Sequence, residues 1–327
     1  VTLISRSRRK DRIVLTVAGA VLLLVVPVAA LAGVRFTYTL RTVTAGGLFL
    51  GAISGSIGSF AVLRKQSLLG DALSHAALPG VGIAFLIAGR QLGALLVGAA
   101  AVSLMGVWFI SLVTRMTRIK QDTAMGIVLT GWFAVGIGIL TFIQQRPDAS
   151  QSGLDSFIFG QAAAIVRQDV QLLAVVSVVM VVILILNWKE FKLVTFDPEF
   201  AKANGYRIGV FTALILGLVV TAVVMGLQLA GVVLMVGMLI GPGIAARQWT
   251  DRLEHMVLLA GIIGAIAGST GAIVSSLDTD LPTGPMIILV NSAVVAISLL
   301  FAPGRGVVQD LLRRRDDRKR FAGGGQG

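Results

Sequence analysis

Asp71 and His75 are the two side chains whose types and spacing first suggest chemistry. They lie in the string SLLGDALSHAALPGVGIAF, residues 67–85, inside a long apolar stretch. Four residues apart on a helix, they share one face, with Cβ atoms about 6 Å apart. A carboxylate and an imidazole so placed can hold one divalent cation between them. The same spacing also fits a plainer arrangement, in which Asp71 caps the helix start and His75 hydrogen-bonds to it or to a neighbouring helix. An ionisable residue in an apolar span is costly and by default marks a function. Pro79, Gly80 and Gly82 follow within two turns and predict a break in the helix ladder beside the pair. Irregular backbone at membrane depth is tolerated only where it is buried in protein or lines a cavity, and transport sites often adjoin such breaks. Two donors do not complete a shell, since Mn²⁺ takes about six and Zn²⁺ usually four. A second copy, with this face on a two-fold axis, would double the donors to two Asp and two His. A related partner carrying the same motif would serve equally.

Other chemistries are excluded by what is missing. The 327 residues contain no cysteine, so disulfides, thiolate ligands and cysteine nucleophiles are out. Two histidines, His75 and His255, rule out a multi-histidine centre within one chain. No Gly-x4-Gly-Lys-Ser/Thr string for binding ATP occurs. The net charge of +12 does not point to nucleic acid, because the basic runs at residues 6–12 and 313–320 flank apolar spans, as topology signals do. His255, next to Glu254, is expected to be solvated. Met225, Met235 and Met238 are expected to pack rather than ligate. Asp278 and Asp280 are expected in an outer loop, solvated or facing a partner.

The elements that must position the pair are membrane helices. Hydrophobic residues make up 56% of the chain and charged residues 13%, about half the charge of a soluble domain. About 20 apolar residues at 1.5 Å rise cross a hydrocarbon core of about 30 Å. Ten such spans are predicted, at 13–34, 43–63, 71–90, 92–114, 124–145, 169–188, 208–226, 228–246, 256–276 and 284–302. The fold class is thus an all-α polytopic bundle with a discontinuous third helix. Residues 1–12 and 303–327 form basic cytoplasmic ends around a single domain, 13–302. With the N-terminus inside, 23 of the 28 Lys and Arg fall in inner segments and 5 in outer ones, which supports both ends in the cytoplasm. The basic start and first span also resemble a signal peptide, but the span is too long for one. Gly47, Gly51 and Gly55 put small residues on one face for close helix packing. By these limits Asp71 starts near the cytoplasmic end, shallower than a metal site should lie. Either residues 64–70 enter the membrane or the limits are off by a turn.

The inner connection 189–207 carries a second feature. Asp197 suits an N-cap, Pro198 the first helical position and Gly205 the C-terminal cap. They enclose about two turns, roughly 196–205, too short to stand alone. Phe196 and Phe200 are available to pack against something. Such a helix either docks into a cytoplasmic ATPase or rests on lipid headgroups.

Several strings, in order, resemble one family. Besides residues 67–85 they are QDTAMGIVLTGWFAVGIGIL (121–140), FIFGQ (157–161), VTFDPEFAKANGY (194–206), LAGVVLMVGMLIGPGIAARQWTDRL (229–253) and DLPTGPMIILV (280–290). Together they resemble the permease subunits of the manganese, zinc and iron-chelate ABC importers over roughly residues 43–305, with the LPGV ending most like the manganese branch. The resemblance implies a multi-pass protein of a bacterial cytoplasmic membrane that carries no permanent cofactor. It implies a dimer of permeases, identical or related, with two ABC ATP-binding subunits and an extracytoplasmic metal-binding lipoprotein. It also implies that Asp71 and His75 lie on the metal path, and that Phe196, Asp197, Pro198, Glu199 and Phe200 contact the ATPase. The chain departs from the family in its long basic N-terminus with its own span, and in the glycine-rich GPGIAA at 241–246. Three readings compete: an ATP-driven Mn²⁺ importer, with Zn²⁺ or Fe²⁺ as other cargo; a proton-coupled secondary metal transporter; and an importer of a large chelate, in which Asp71 and His75 would be structural.

Overall fold

A computed structural model describes residues 37–89, 91–145, 165–277, 281–302 and 306–309. The predicted first span, the string 157–161, Asp278, Asp280 and the basic C-terminal run lie outside these residues. Within them the secondary structure is helical, with no strand. The elements are α1 Tyr38–Leu63, α2 Leu69–Ala88, α3 Leu92–Met116, α4 Gln121–Gln144, α5 Arg167–Leu186, α6 Trp188–Phe196, α7 Pro198–Ala203, α8 Ile208–Trp249, α9 Leu253–Ser275 and α10 Thr283–Phe301. Among the described residues eight helices are long and apolar enough to cross a membrane, the first 20 residues of α8 among them.

At 42 residues, α8 would run about 63 Å if straight. It does not. Thr212, near its start, meets Arg64 just after α1. Gly243, near its end, packs on Ser59 and Val62 of the same α1 end. The chain therefore doubles back, and the break is Gly231, at φ 78° and ψ 170°. Only glycine adopts that conformation without strain. The sequence expectation placed the fold-back at 226–228. Gly226 instead lies against Met235, across the fold.

The innermost packing is α1 against α9. A Cβ on Gly47 would lie 2.5 Å from the Gly268 carbonyl oxygen, and one on Gly51 would run into the Gly264 carbonyl. Backbone thus touches backbone, a close approach that only missing side chains permit. Lipid tails are as apolar as leucine, so this contact rather than water exclusion holds the helices together. Phe60 then clasps the inner end. Trp188 and Phe191 of α6 meet its ring edge-on at centroid distances of 6.2 and 6.1 Å, and Lys192 bonds Glu254 of α9 at 2.6 Å.

Candidate metal site

Asp71 lies in the first turn of α2 and His75 one turn on. Ala72, Leu73, Ala76 and Ala77 face inward and are fully buried, so the pair occupies the opposite, more open side. Three contacts hold this turn. Ser103 of α3 donates to the Leu73 carbonyl at 3.2 Å, Gly106 of α3 admits Ala76, and Gly70 is covered by Leu239 of α8. In the connection before α2 Gln66 is 6% exposed, while Lys65, Ser67 and Leu68 are exposed. Helix α2 begins at Leu69, two residues earlier than expected, so the expected limit was off by about half a turn.

His75 Nε2 stands 3.4 Å from Asp71 Oδ1, with the side chains 17% and 33% exposed. That distance is long for a strong hydrogen bond, and it suits a shared ion. With bonds of about 2.1–2.2 Å to nitrogen and oxygen, a cation spanning 3.4 Å would subtend roughly 100–110°, close to what tetrahedral and octahedral shells accept. The other ring nitrogen, Nδ1, is buried without a hydrogen-bond partner. The ring stands edge-on to Phe133 of α4, centroids 4.7 Å apart at 82°. Among the described residues no group of three or more His, Asp or Glu side chains converges, so within them the pair remains a two-donor arrangement.

The expected break beside the pair does not occur. Helix α2 runs unbroken through Pro79 to Ala88. Pro79 has no N–H for the His75 carbonyl four residues back, which loosens that turn, but neighbouring helices hold it. Gly136 of α4 abuts Pro79, and Gly80 meets Gly98 of α3 backbone to backbone. Gly82 receives Ile139 of α4. Pro79, Gly80 and Gly82 therefore provide close packing, and helices in membranes tolerate proline when neighbours re-support the ladder.

The inner connection also differs from expectation. The capped helix is present as α7, shorter than foreseen at six residues, with Asp197 Oδ1 accepting from the Phe200 N–H at 2.9 Å and Pro198 at its first position. Gly205 closes it at φ 78°. Ala201 is buried beneath it, whereas Phe196 and Phe200 are 54% and 56% exposed. Helix α6 was missed, although Trp188, Phe191 and Val194 recur at three-residue spacing on one face. His255 lies in the first turn of α9 and is half-buried, not in a solvated loop. Met235 and Met238 are fully buried and Met225 packs against the core, as expected of packing residues. In the GPGIAA string Gly241 abuts Asn291, whose Nδ2 donates to the Gly237 carbonyl at 2.7 Å.

The comparisons with known proteins agree with this architecture. The manganese transport system membrane protein MntC of Bacillus subtilis is 48% identical over 85% of this chain, which spans 64% of that relative's length. The zinc transport system membrane protein TroC of Treponema pallidum is 45% identical over 85% of this chain and 94% of its own. Among solved structures, PsaBC from Streptococcus pneumoniae, in complex with a Fab, superposes with a TM-score of 0.73 at 28% identity, over 84% of this chain and 96% of that one. A metal-chelate-type ABC transporter in an inward-facing conformation shares the fold, with a TM-score of 0.68 at 14% identity, over 88% and 98% of the two chains. The model of the ABC 3 transport family matches residues 36–302, and the chain belongs to that family.

Proposed function

We propose that this chain is the membrane-spanning subunit of an ATP-driven importer of a divalent transition metal, Mn²⁺ foremost, with Asp71 and His75 contacting the ion in transit. The observation that carries the reading is the pair itself: carboxylate and imidazole 3.4 Å apart on the open side of α2. The relatives named for manganese and zinc transport support it. Two donors leave the ion's shell unfilled, so a second permease, identical or related, supplies the rest by facing this side of α2. The chain itself performs no covalent chemistry. ATP is hydrolysed on separate ATP-binding subunits, which dock on α7 through Phe196, Asp197, Pro198, Glu199 and Phe200. The exposed Phe196 ends α6 and Phe200 lies in the adjoining α7, and α6 is clamped to α1 and α9, so a push on α7 reaches the core of the bundle. An extracytoplasmic metal-binding lipoprotein delivers the ion at the opposite end. The ion shifts the conformational equilibrium only by its differential affinity for the two states.

Carboxylate plus imidazole also accepts Zn²⁺ and Fe²⁺, and the Irving–Williams order favours zinc over manganese in an unselective site. The test is uptake into vesicles holding the chain with its ATP-binding subunits, with Mn²⁺ and Zn²⁺ in competition. ATP-dependent Mn²⁺ accumulation that Asp71→Asn abolishes is the expected result. Uptake driven by a pH gradient without ATP would move the protein to the secondary transporters. ATP-driven uptake of a bulky chelate that survives Asp71→Asn would remove the ion from this pair.

A further inference from the structure

A second site lies at the end of the bundle rich in Lys and Arg, away from the Asp71–His75 face. A cavity of about 350 Å³ opens there between the α1–α2 connection, α3, the start of α4 and the first limb of α8. Its wall is divided. Leu69, Val107, Ile110 and Leu216 make an apolar part, and Arg64, Gln66, Thr114 and Thr212 a polar part. The Arg64 guanidinium is the unusual group. Its Nη2 reaches Thr212 Oγ1 at a long 3.5 Å, while Nη1 is buried without a hydrogen-bond partner. Burial lowers its pKa by desolvation, yet arginine does not deprotonate in proteins. Arg64 as a whole is half-buried, but a buried guanidinium nitrogen with no partner is costly. No carboxylate lines the cavity, and none pairs with Arg64 among the described residues. Asp122, beside the lining residue Gln121, is itself exposed. The flanking connections add Lys65, Arg118 and Lys120, and the last turn of α3 adds Arg115.

We propose that this cavity binds the phosphate headgroup of an anionic phospholipid, with Arg64 as its counter-ion. The occupant must carry negative charge to answer Arg64 and an apolar portion to cover the hydrophobic wall, and it must be present at the membrane surface. A phospholipid of the inner leaflet meets all three, and basic pockets between membrane helices on this side bind such headgroups. A guanidinium bonds phosphate bidentately, and the Thr212 hydroxyl lies within reach of the same group. An occupant here would also brace the connection leading to Leu69, two residues before Asp71.

The test is native mass spectrometry of the detergent-solubilised full chain, titrated with phosphatidylglycerol and phosphatidylcholine of matched acyl chains. The wild type is expected to retain phosphatidylglycerol about tenfold more tightly, as one charge-assisted bond would give. Arg64→Gln should bring the two lipids to parity, and Arg64→Lys should keep most of the preference. Thr114→Trp fills the cavity while keeping the charge and should also expel the lipid, so it decides the matter if Arg64→Gln does not fold. A preference unchanged in both Arg64→Gln and Thr114→Trp would overturn the proposal. So would displacement of the lipid by millimolar inorganic phosphate, which would make the occupant a free anion.

Discussion

The α1–α9 seam and the Asp71–His75 face of α2 are built in opposite ways. At the seam, glycine lies on glycine and backbone on backbone. At the site, the pair stands partly open beside an aromatic ring, on a turn whose ladder lacks one bond at Pro79. Close packing tolerates no added atom and deforms little. The proposed role of the pair, passing an ion along, requires its surroundings to change while its donors stay together. The bundle thus sets a close-packed axis beside a more open face, and α2 takes part in both: its Gly80 packs backbone to backbone on α3 and its first turns carry the pair.

The contrast is tested most severely at the seam. Gly264→Leu would drive a side chain into the Gly51 backbone, which cannot yield as a side chain could. The expected cost exceeds about 3 kcal/mol, seen as loss of the monodisperse peak in detergent and collapse of membrane yield. Normal yield and thermal stability would show that the seam is softer than its geometry implies.

At the face the expectation is reversed, with function lost and fold kept. Asp71→Asn preserves volume and hydrogen-bonding capacity but removes the charge a hard cation needs. Metal uptake should fall at least about 100-fold, or about 2.7 kcal/mol, with the melting temperature little changed. Wild-type uptake in this variant would mean that Asp71 only partners His75 and does not contact the ion. His75→Ala should also abolish uptake, but it opens space beside Phe133 and is less decisive alone.

The link between the regions comes next. Phe200→Asp or Glu199→Arg should leave the chain folded in the membrane while uncoupling ATP hydrolysis on the partner from uptake. A two-turn helix carries its docking in one or two side chains, so a severalfold loss of transport per ATP hydrolysed is expected. Unchanged transport in both variants would leave α7 as a surface helix only.

The smallest effect is expected from the Lys192–Glu254 bond between α6 and α9. Both side chains are about half exposed, so the pair is worth about 0–1 kcal/mol despite its short distance. Lys192→Ala should shift the melting temperature by no more than about 3 °C. A larger shift would place the clamp on α6 in this ion pair rather than in Phe60, Trp188 and Phe191.

Much of this was legible from the chain alone. Among the described residues length and hydropathy mark the spans to within five residues, because a helix that must satisfy its own backbone in lipid needs an apolar run of set length. The polar pair stands out because charge is scarce there. The caps of α7 are readable because Asp, Pro and Gly have local backbone preferences that need no neighbours. Helix α6 was hidden because its charges fit an ordinary inner loop and its apolar stripe is only three residues long.

What the sequence by itself determined is the membrane class, the spans, the alternation of charge and the shared helix face of Asp71 and His75. These follow from local rules and from the solvent. The tertiary structure decided the rest. It keeps α2 whole across Pro79, because α3 and α4 press on both sides of that turn. It sets the fold-back of α8 at Gly231 rather than at Gly226, because Gly226 is needed for contact with Met235. It seats Arg64 beside a cavity whose walls come from segments more than 100 residues apart in the chain. No local pattern encodes such contacts, since each depends on the shape that a distant helix presents.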